Sequence, residues 1–308
     1  MHDILSVELI YKFELGEERM KKFLVFLTAI CFQTICLFAF DKQEQVINGL
    51  RSGDYENVKA LLQEWEKDSP DDPDLMTGWF NYYLNRNLKS ESIVGYMQNG
   101  QYGMYAKNIY DEDDLKVAIS YLDKALKKNP YRMDIHFGKI NTLLKAEHHA
   151  EGADAIANLL KAYDKNKTEW YWSYNQKFSD KGWNVEKAVI DALHDYCMMF
   201  DFYLKGQRNS IKKALDEILK RFPKNVIFLN YMAYYYAAEN DYNKSTEILL
   251  NAHKIDSNDY IIVANLASDY EKLGNYKEAE KWYKVLATMD SEEAKAYAAK
   301  GLERIKDK

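Results

Sequence analysis

Two short clusters in this 308-residue chain carry side chains able to bind metal or attack a carbonyl. His148 and His149 stand beside Glu147 and Glu151, which invites a metal reading. Adjacent histidines point in different directions, however, and no cysteine or third ligand has suitable spacing, so a solvated turn is expected. His194, Asp195 and Cys197 resemble the parts of a thiol nucleophile. Helical neighbours one to three apart do not all meet, and no oxyanion-forming glycine turn precedes them; Cys197 reads as a buried structural residue. No phosphate loop, nucleophile elbow, paired-carboxylate motif or zinc-protease helix occurs. The expectation is a non-catalytic protein without metal or cofactor.

A third cluster is aromatic. WYWSYNQKF places Trp170, Trp172 and Tyr174 in alternation, with Trp183 close behind. Exposed rings of this kind stack on sugars or anchor a partner, so the stretch 170–183 supports glycan binding as an alternative function. The competing reading is that the rings plug a gap opened by the insertion that carries them.

The elements that position these residues follow from a repeat. Gly206, Asn240 and Gly274 are 34 residues apart, as are Phe202, Tyr236 and Tyr270, then Met199, Ala233 and Ala267, then Ile211, Ser245 and Ala279, then Leu215, Leu249 and Tyr283. That period, with small residues at the turn, is the mark of a helix-turn-helix solenoid. Asp191 to Ser291 therefore reads as three clean copies. Upstream, Gly53-Asp54 turns between QEQVINGL and ENVKALLQEWEKDSP, where Val58, Leu62 and Trp65 share one helical face. DLMTGWFNYYLNR begins a second pair, with Asp74 as its cap and Trp79, Phe80 and Tyr83 as its apolar face. Its partner comes only at DLKVAISYLDKALKKNP, with Ala118, Leu122 and Ala125 inward. A third pair runs from Tyr131 to Asn166 and turns at Glu147 without the usual glycine.

Spacing between prolines locates two insertions. Residues 87–112 hold SESIVGYMQNGQYGMY, where Asn99-Gly100 between Ile93, Tyr96, Tyr102 and Tyr105 predicts a β-hairpin whose aromatic face lies on the helices. The second insertion, 167–191, contains the aromatic cluster. Residues 294–308 form a charged amphipathic helix suited to cap the last repeat.

LASDYEKLGNYKEAEKWYKVLATMD, residues 266–290, resembles a tetratricopeptide repeat: Leu266, Ala267 and Tyr270 match its first helix, Gly274 and Tyr276 its turn, Ala279 and Tyr283 its second helix. The resemblance extends in looser form over 40–293. It implies an all-α solenoid of about six repeats with a small β-hairpin insertion, a right-handed superhelix whose first helices line a concave groove. Groove positions would be Leu193, Tyr196, Phe200 and Tyr203 in the fourth unit, Ile227, Asn230 and Tyr234 in the fifth, and Ala264, Ser268 and Glu271 in the sixth. Tyr196 and Phe200 stand where the family's chaperone-tail receptors carry basic and amide groups, so a terminal carboxylate is not the expected ligand. A tyrosine-rich groove suits a helix or an extended peptide of a protein partner.

Residues 23–40, FLVFLTAICFQTICLFAF, follow Met20, Lys21 and Lys22 and read as a secretory signal with Ala39 before the cut. The same 18 residues are also long enough for an uncleaved anchor, the one route by which the chain would meet a membrane. The purine-rich codons required for Gly16, Glu17 and Glu18 resemble a ribosome-binding site, which makes Met20 the expected start. Residues 1–39 thus form an upstream extension plus signal, and the folded part is expected in the periplasm or elsewhere in a bacterial envelope. Losing them removes Cys31 and Cys36, leaves Cys197 alone and rules out an internal disulfide. It also removes 4 basic and 5 acidic residues, leaving a net charge of about −5, which argues against nucleic acid.

Overall fold

A computed structural model describes residues 37–96 and 102–308. The expected signal segment, residues 23–40, lies almost entirely outside the described residues, as do the expected hairpin turn residues Asn99 and Gly100. No helix of the described residues is long and apolar enough to cross a membrane.

The chain divides into two compact units. The first, residues up to 147 with 162–188, contains helices α1 (Leu37–Ser52), α2 (Tyr55–Asp68), α3 (Pro73–Arg86), α4 (Glu112–Lys128) and α5 (Met133–Lys145), with strands β1 (Lys89–Tyr96) and β2 (Tyr102–Ile109). Its small second sheet pairs β3 (Tyr171–Trp172) with β4 (Gln176–Lys177). The second unit, 148–161 with 189–308, holds α8 (Arg208–Arg221), α9 (Val226–Ala238), α10 (Tyr242–Ile255), α11 (Tyr260–Lys272), α12 (Tyr276–Ala287) and α13 (Glu292–Ile305). Helices α6 (His149–Lys165) and α7 (Val185–Met198) contribute residues to both.

Within each unit, consecutive helices pack as hairpins. The expected faces are the buried ones: Val58, Leu62 and Trp65 on α2, Trp79 and Phe80 on α3, Ala118, Leu122 and Ala125 on α4. Burying this surface supplies most of the stability, because a short helix alone is marginal in water. Asx side chains start the helices: Asp54, Asp111, Asn225, Asp241, Asp259 and Asn275 each accept a backbone N–H of the first turn. The turn inside a pair needs one left-handed residue. Gly53 (φ 75°) and Gly274 (φ 71°) supply it without strain, Asn240 (φ 63°) tolerates it, and Glu147 (φ 64°) fills the place of the missing glycine in the third pair.

Three expectations are corrected. Asp74 does not cap α3; Asp72 does, with Pro73 in the first helical position, and Asp74 is buried in the second. The fourth pair does not follow the 34-residue register. Its first helix, α7, runs from Val185 to Met198, whereas the period projects Ala192 to Leu204 from α9. Asn184 starts α7 early by accepting the Lys187 N–H at 2.8 Å. Beyond its end the Asp201 carboxylate takes the Tyr203 N–H, and Gln207 Oε1 takes the Asp201 N–H, each at 2.9 Å. These local bonds compete with helical ones, so residues 199–204 form a loop and Gly206 sits in a 3-10 turn, Lys205–Gln207, instead of a left-handed one. Thirdly, the hairpin forms with eight antiparallel pairs from Lys89↔Ile109 to Tyr96↔Tyr102, but its aromatics divide. Tyr105 and Ile93 are half-buried, while Tyr102 faces solvent.

Candidate functional site

Helices α9 and α11 are the first helices of adjacent repeats, and they are joined on one face by an amide pair. Asn265 Nδ2 donates to Asn230 Oδ1 at 2.8 Å. Tyr234 lies one turn beyond Asn230 on the same side of α9, and both are half-buried. The opposite side of α9, with Phe228, Met232 and Ala233, is core.

The loop 199–204 lays aromatic rings onto this face. Phe202 is buried, stacked on Tyr231 at 6.0 Å between centroids and set edge-on to Tyr234 at 5.0 Å. Tyr203 stands edge-on to Tyr234, 5.7 Å away and at 87°. Edge-to-face pairs of this kind hold their rings in place and leave ring surface for a ligand. Tyr203 is 50% exposed and its neighbour Leu204 53%. The face therefore offers aromatic surface beside side-chain amides, which can read the hydrogen-bonding groups of a peptide backbone.

The structure reduces the expected groove set. Leu193, Tyr196 and Phe200 are buried at 0%, 5% and 2% exposure and fill the core of their unit. Burial pushes the Tyr196 hydroxyl well above its usual range, with the nearby Asp195 charge adding to the effect. Phe200 also packs against the His149 ring at 5.8 Å. Tyr203, Asn230 and Tyr234 reach the surface. In the sixth unit Ala264 is buried, and Glu271 is occupied by Arg304 and the Tyr283 hydroxyl. The residue missed from sequence is Asn265. It lies 35 positions from Asn230, one off the repeat period, so strict spacing selected Ala264 in its place.

The aromatic insertion is set differently. Trp170 is fully buried, its Nε1 donating to the Asn166 carbonyl at 2.7 Å and its ring against Tyr131 and His136. Trp172 is half-buried among Phe137, Phe178 and Trp183. Tyr174 alone of the three is exposed, held at φ 57°. Alternation in sequence thus becomes three depths instead of one platform, and Trp170 takes the role of a plug.

The chemical candidates also have definite places. Cys197 is buried, and burial pushes its thiol far up, which keeps it protonated. His148 Nδ1 lies 3.8 Å from Glu151 while His149 faces Phe200, so the two rings serve different contacts. Among the described residues, no three histidine, cysteine or acidic side chains are grouped as a metal would need.

No protein-family profile and no curated protein matches the sequence. Solved structures similar to the chain include PilW, a type IV pilus biogenesis factor, at 12% identity over 85% of this chain and 99% of that one, with a TM-score of 0.39. A tetratricopeptide repeat protein from Parabacteroides merdae matches at 12% identity, covering 86% and 91%, with a TM-score of 0.36. The MamA protein matches at 13%, covering 63% and 85%, with a TM-score of 0.36. The chain's own helix pairing, caps and turns define its fold. By those features each unit is built of consecutive helix hairpins of the tetratricopeptide-repeat kind, and the described residues are all-α apart from two small antiparallel insertions.

Proposed function

We propose that this chain is a binding scaffold of the bacterial envelope that holds a segment of a partner protein against the α9–α11 face of its second unit. One observation carries the reading: the Tyr203–Tyr234 pair stands partly exposed beside the Asn230–Asn265 amides. Aromatic anchors next to backbone-reading amides favour an extended or helical peptide over a small polar ligand. The placement in the envelope is supported by the sequence of residues 20–40, basic and then apolar.

The test is site-directed photo-crosslinking in the native envelope, with benzoylphenylalanine at Tyr203 and, as control, at the exposed Lys281 of α12. A discrete adduct specific to position 203, and lost when Tyr234→Asp is added, supports the reading. The same adducts at both positions overturn it.

A further inference from the structure

Tyr203 is set in place by residues that lie behind the α9–α11 face. From Asp201 to Asn209 the one buried side chain is Phe202. The stretch is closed on itself: Gln207 Oε1 accepts the Asp201 N–H at 2.9 Å, the Asp201 carbonyl accepts the Leu204 N–H at 3.2 Å, and the Leu204 carbonyl accepts the Gln207 N–H at 2.9 Å. The Asp201 carboxylate also takes the Tyr203 N–H. A compact loop whose ends are joined in this way is positioned as one piece. Its far end is held by Arg208, whose Nη2 donates to the Ala238 carbonyl at 3.0 Å. The seat of Phe202 therefore decides where Tyr203 stands.

That seat is Tyr231, 5% exposed, whose ring lies within 13° of parallel to Phe202. The Tyr231 hydroxyl meets His194 Nδ1 of α7 at 3.0 Å, and the two rings are 5.6 Å apart at 37°. A buried tyrosine hydroxyl needs such a partner, and the bond fixes the ring at its outer end as packing fixes it along its length. Tyr234 touches Phe202 as well, at 5.0 Å, but it is half-buried and part of the face itself. His194, which spacing offers as a base for Cys197, is thus engaged with Tyr231.

We infer that His194 and Tyr231 are positioning residues for partner capture: acting through Phe202, they hold the 201–207 loop on α9 with Tyr203 edge-on to Tyr234. The inference rests on the peptide face proposed above and adds the device that keeps its most exposed ring in place. Neither residue has to touch the partner. An anchor ordered before the encounter spares the binding step the cost of ordering it.

Limited trypsin digestion of the partner-free full chain tests this, scoring the cut after the exposed Lys205 against the cut after Lys281 in α12. Tyr231→Phe and His194→Leu should each speed the cut after Lys205 about fivefold, the effect of losing one hydrogen bond, and leave the cut after Lys281 unchanged. His194→Asn, whose amide stands where Nδ1 stands, should restore the slow rate. With benzoylphenylalanine at position 203, His194→Leu should lower the adduct yield. Equal acceleration at both sites overturns the inference by making the pair merely structural. So does an unaltered rate after Lys205, or a full adduct yield in a variant whose loop is cut faster. A missing adduct in the unaltered background, with the trypsin result as expected, counts against the peptide face and leaves the positioning of Tyr203 standing.

Discussion

Arg132 Nη2 donates to Asp74 Oδ1 at 2.6 Å across 58 residues of sequence, and the other oxygen of Asp74 accepts the Tyr174 N–H at 3.3 Å. The guanidinium, 2% exposed, is also gripped by Asp134 at 2.9 Å and 2.8 Å. One buried cation thus ties α3, α5 and the aromatic insertion together. Burial pushes the Asp74 carboxyl up more than Arg132 pulls it down, a sign of how dry the site is. Arg132 Nη1 already has no hydrogen-bond partner. Removing Asp74 would leave a buried charge still less compensated, so Asp74→Ala should cost about 3–5 kcal/mol in urea unfolding. An unchanged midpoint would show that the cluster is not structural.

Trp170 and Trp172 should part company on mutation. Trp170→Ala opens a cavity under the insertion and should cost about 3–5 kcal/mol. Trp172→Ala removes a half-buried ring and should cost on the order of 1–2 kcal/mol. Equal melting shifts would contradict the plug. A glycan-array signal lost on Trp172→Ala without a stability change would instead revive sugar binding.

His136 in the first unit and Asp269 in the second should contribute pH dependences of opposite sign. His136, buried with Nε2 at 2.9 Å from the Pro130 carbonyl, is pulled down by desolvation from 6.5 to about 4. The unfolded chain binds the proton first, so the His136 contribution to stability is lost as pH falls from about 6.5 to 4. Asp269, buried with Oδ2 lacking a partner, is pushed up by desolvation from 3.8 to about 7. Here the folded state holds the proton, so the Asp269 contribution to stability is lost as pH rises from about 4 to 7 and is level above that. Each effect is on the order of 2–4 kcal/mol. Hydrogen exchange of α5 and α11 amides across this range should show the opposed slopes, and Asp269→Asn should flatten the second alone. Parallel slopes would refute the assignment.

Gly301 of α13 lies under the Tyr283 ring, where an added Cβ would fall 2.3 Å from Cε1. The Tyr283 hydroxyl is held by Glu271 and Arg304, which restrains the ring. Gly301→Ala should therefore cost about 1–3 kcal/mol by overpacking, despite its better helix propensity. A stabilised protein in thermal denaturation would mean that α13 does not pack as described.

Much of the fold could be read in the sequence because its determinants are local. Val58, Leu62 and Trp65 share a helical face by spacing alone, Gly53 and Gly274 mark left-handed turns, and β1 and β2 flank an Asn-Gly pair. What escaped was set by competition or by distance. The repeat residues around Gly206 keep their period, yet the side chains of Asp201 and Gln207 outbid the helix for its last N–H groups. Asp74 has the residue type of a cap, but Arg132, remote in sequence, claims it for an ion pair. Leu193, Tyr196 and Phe200 fit groove positions by number, and the early start of α7 turned them into core. Asn230 and Tyr234 remained at the surface because α9 keeps the register that α7 abandons, and Tyr203 because it lies in the loop that replaces the end of α7.

The most direct measurement is calorimetric titration of the partner segment identified by crosslinking at Tyr203 against the unaltered protein, Tyr203→Asp and Tyr234→Asp. The account expects both variants to bind about tenfold or more weakly, a loss of at least ~1.4 kcal/mol, with helicity unchanged. Full affinity in both variants would contradict it and move the binding site away from the α9–α11 face.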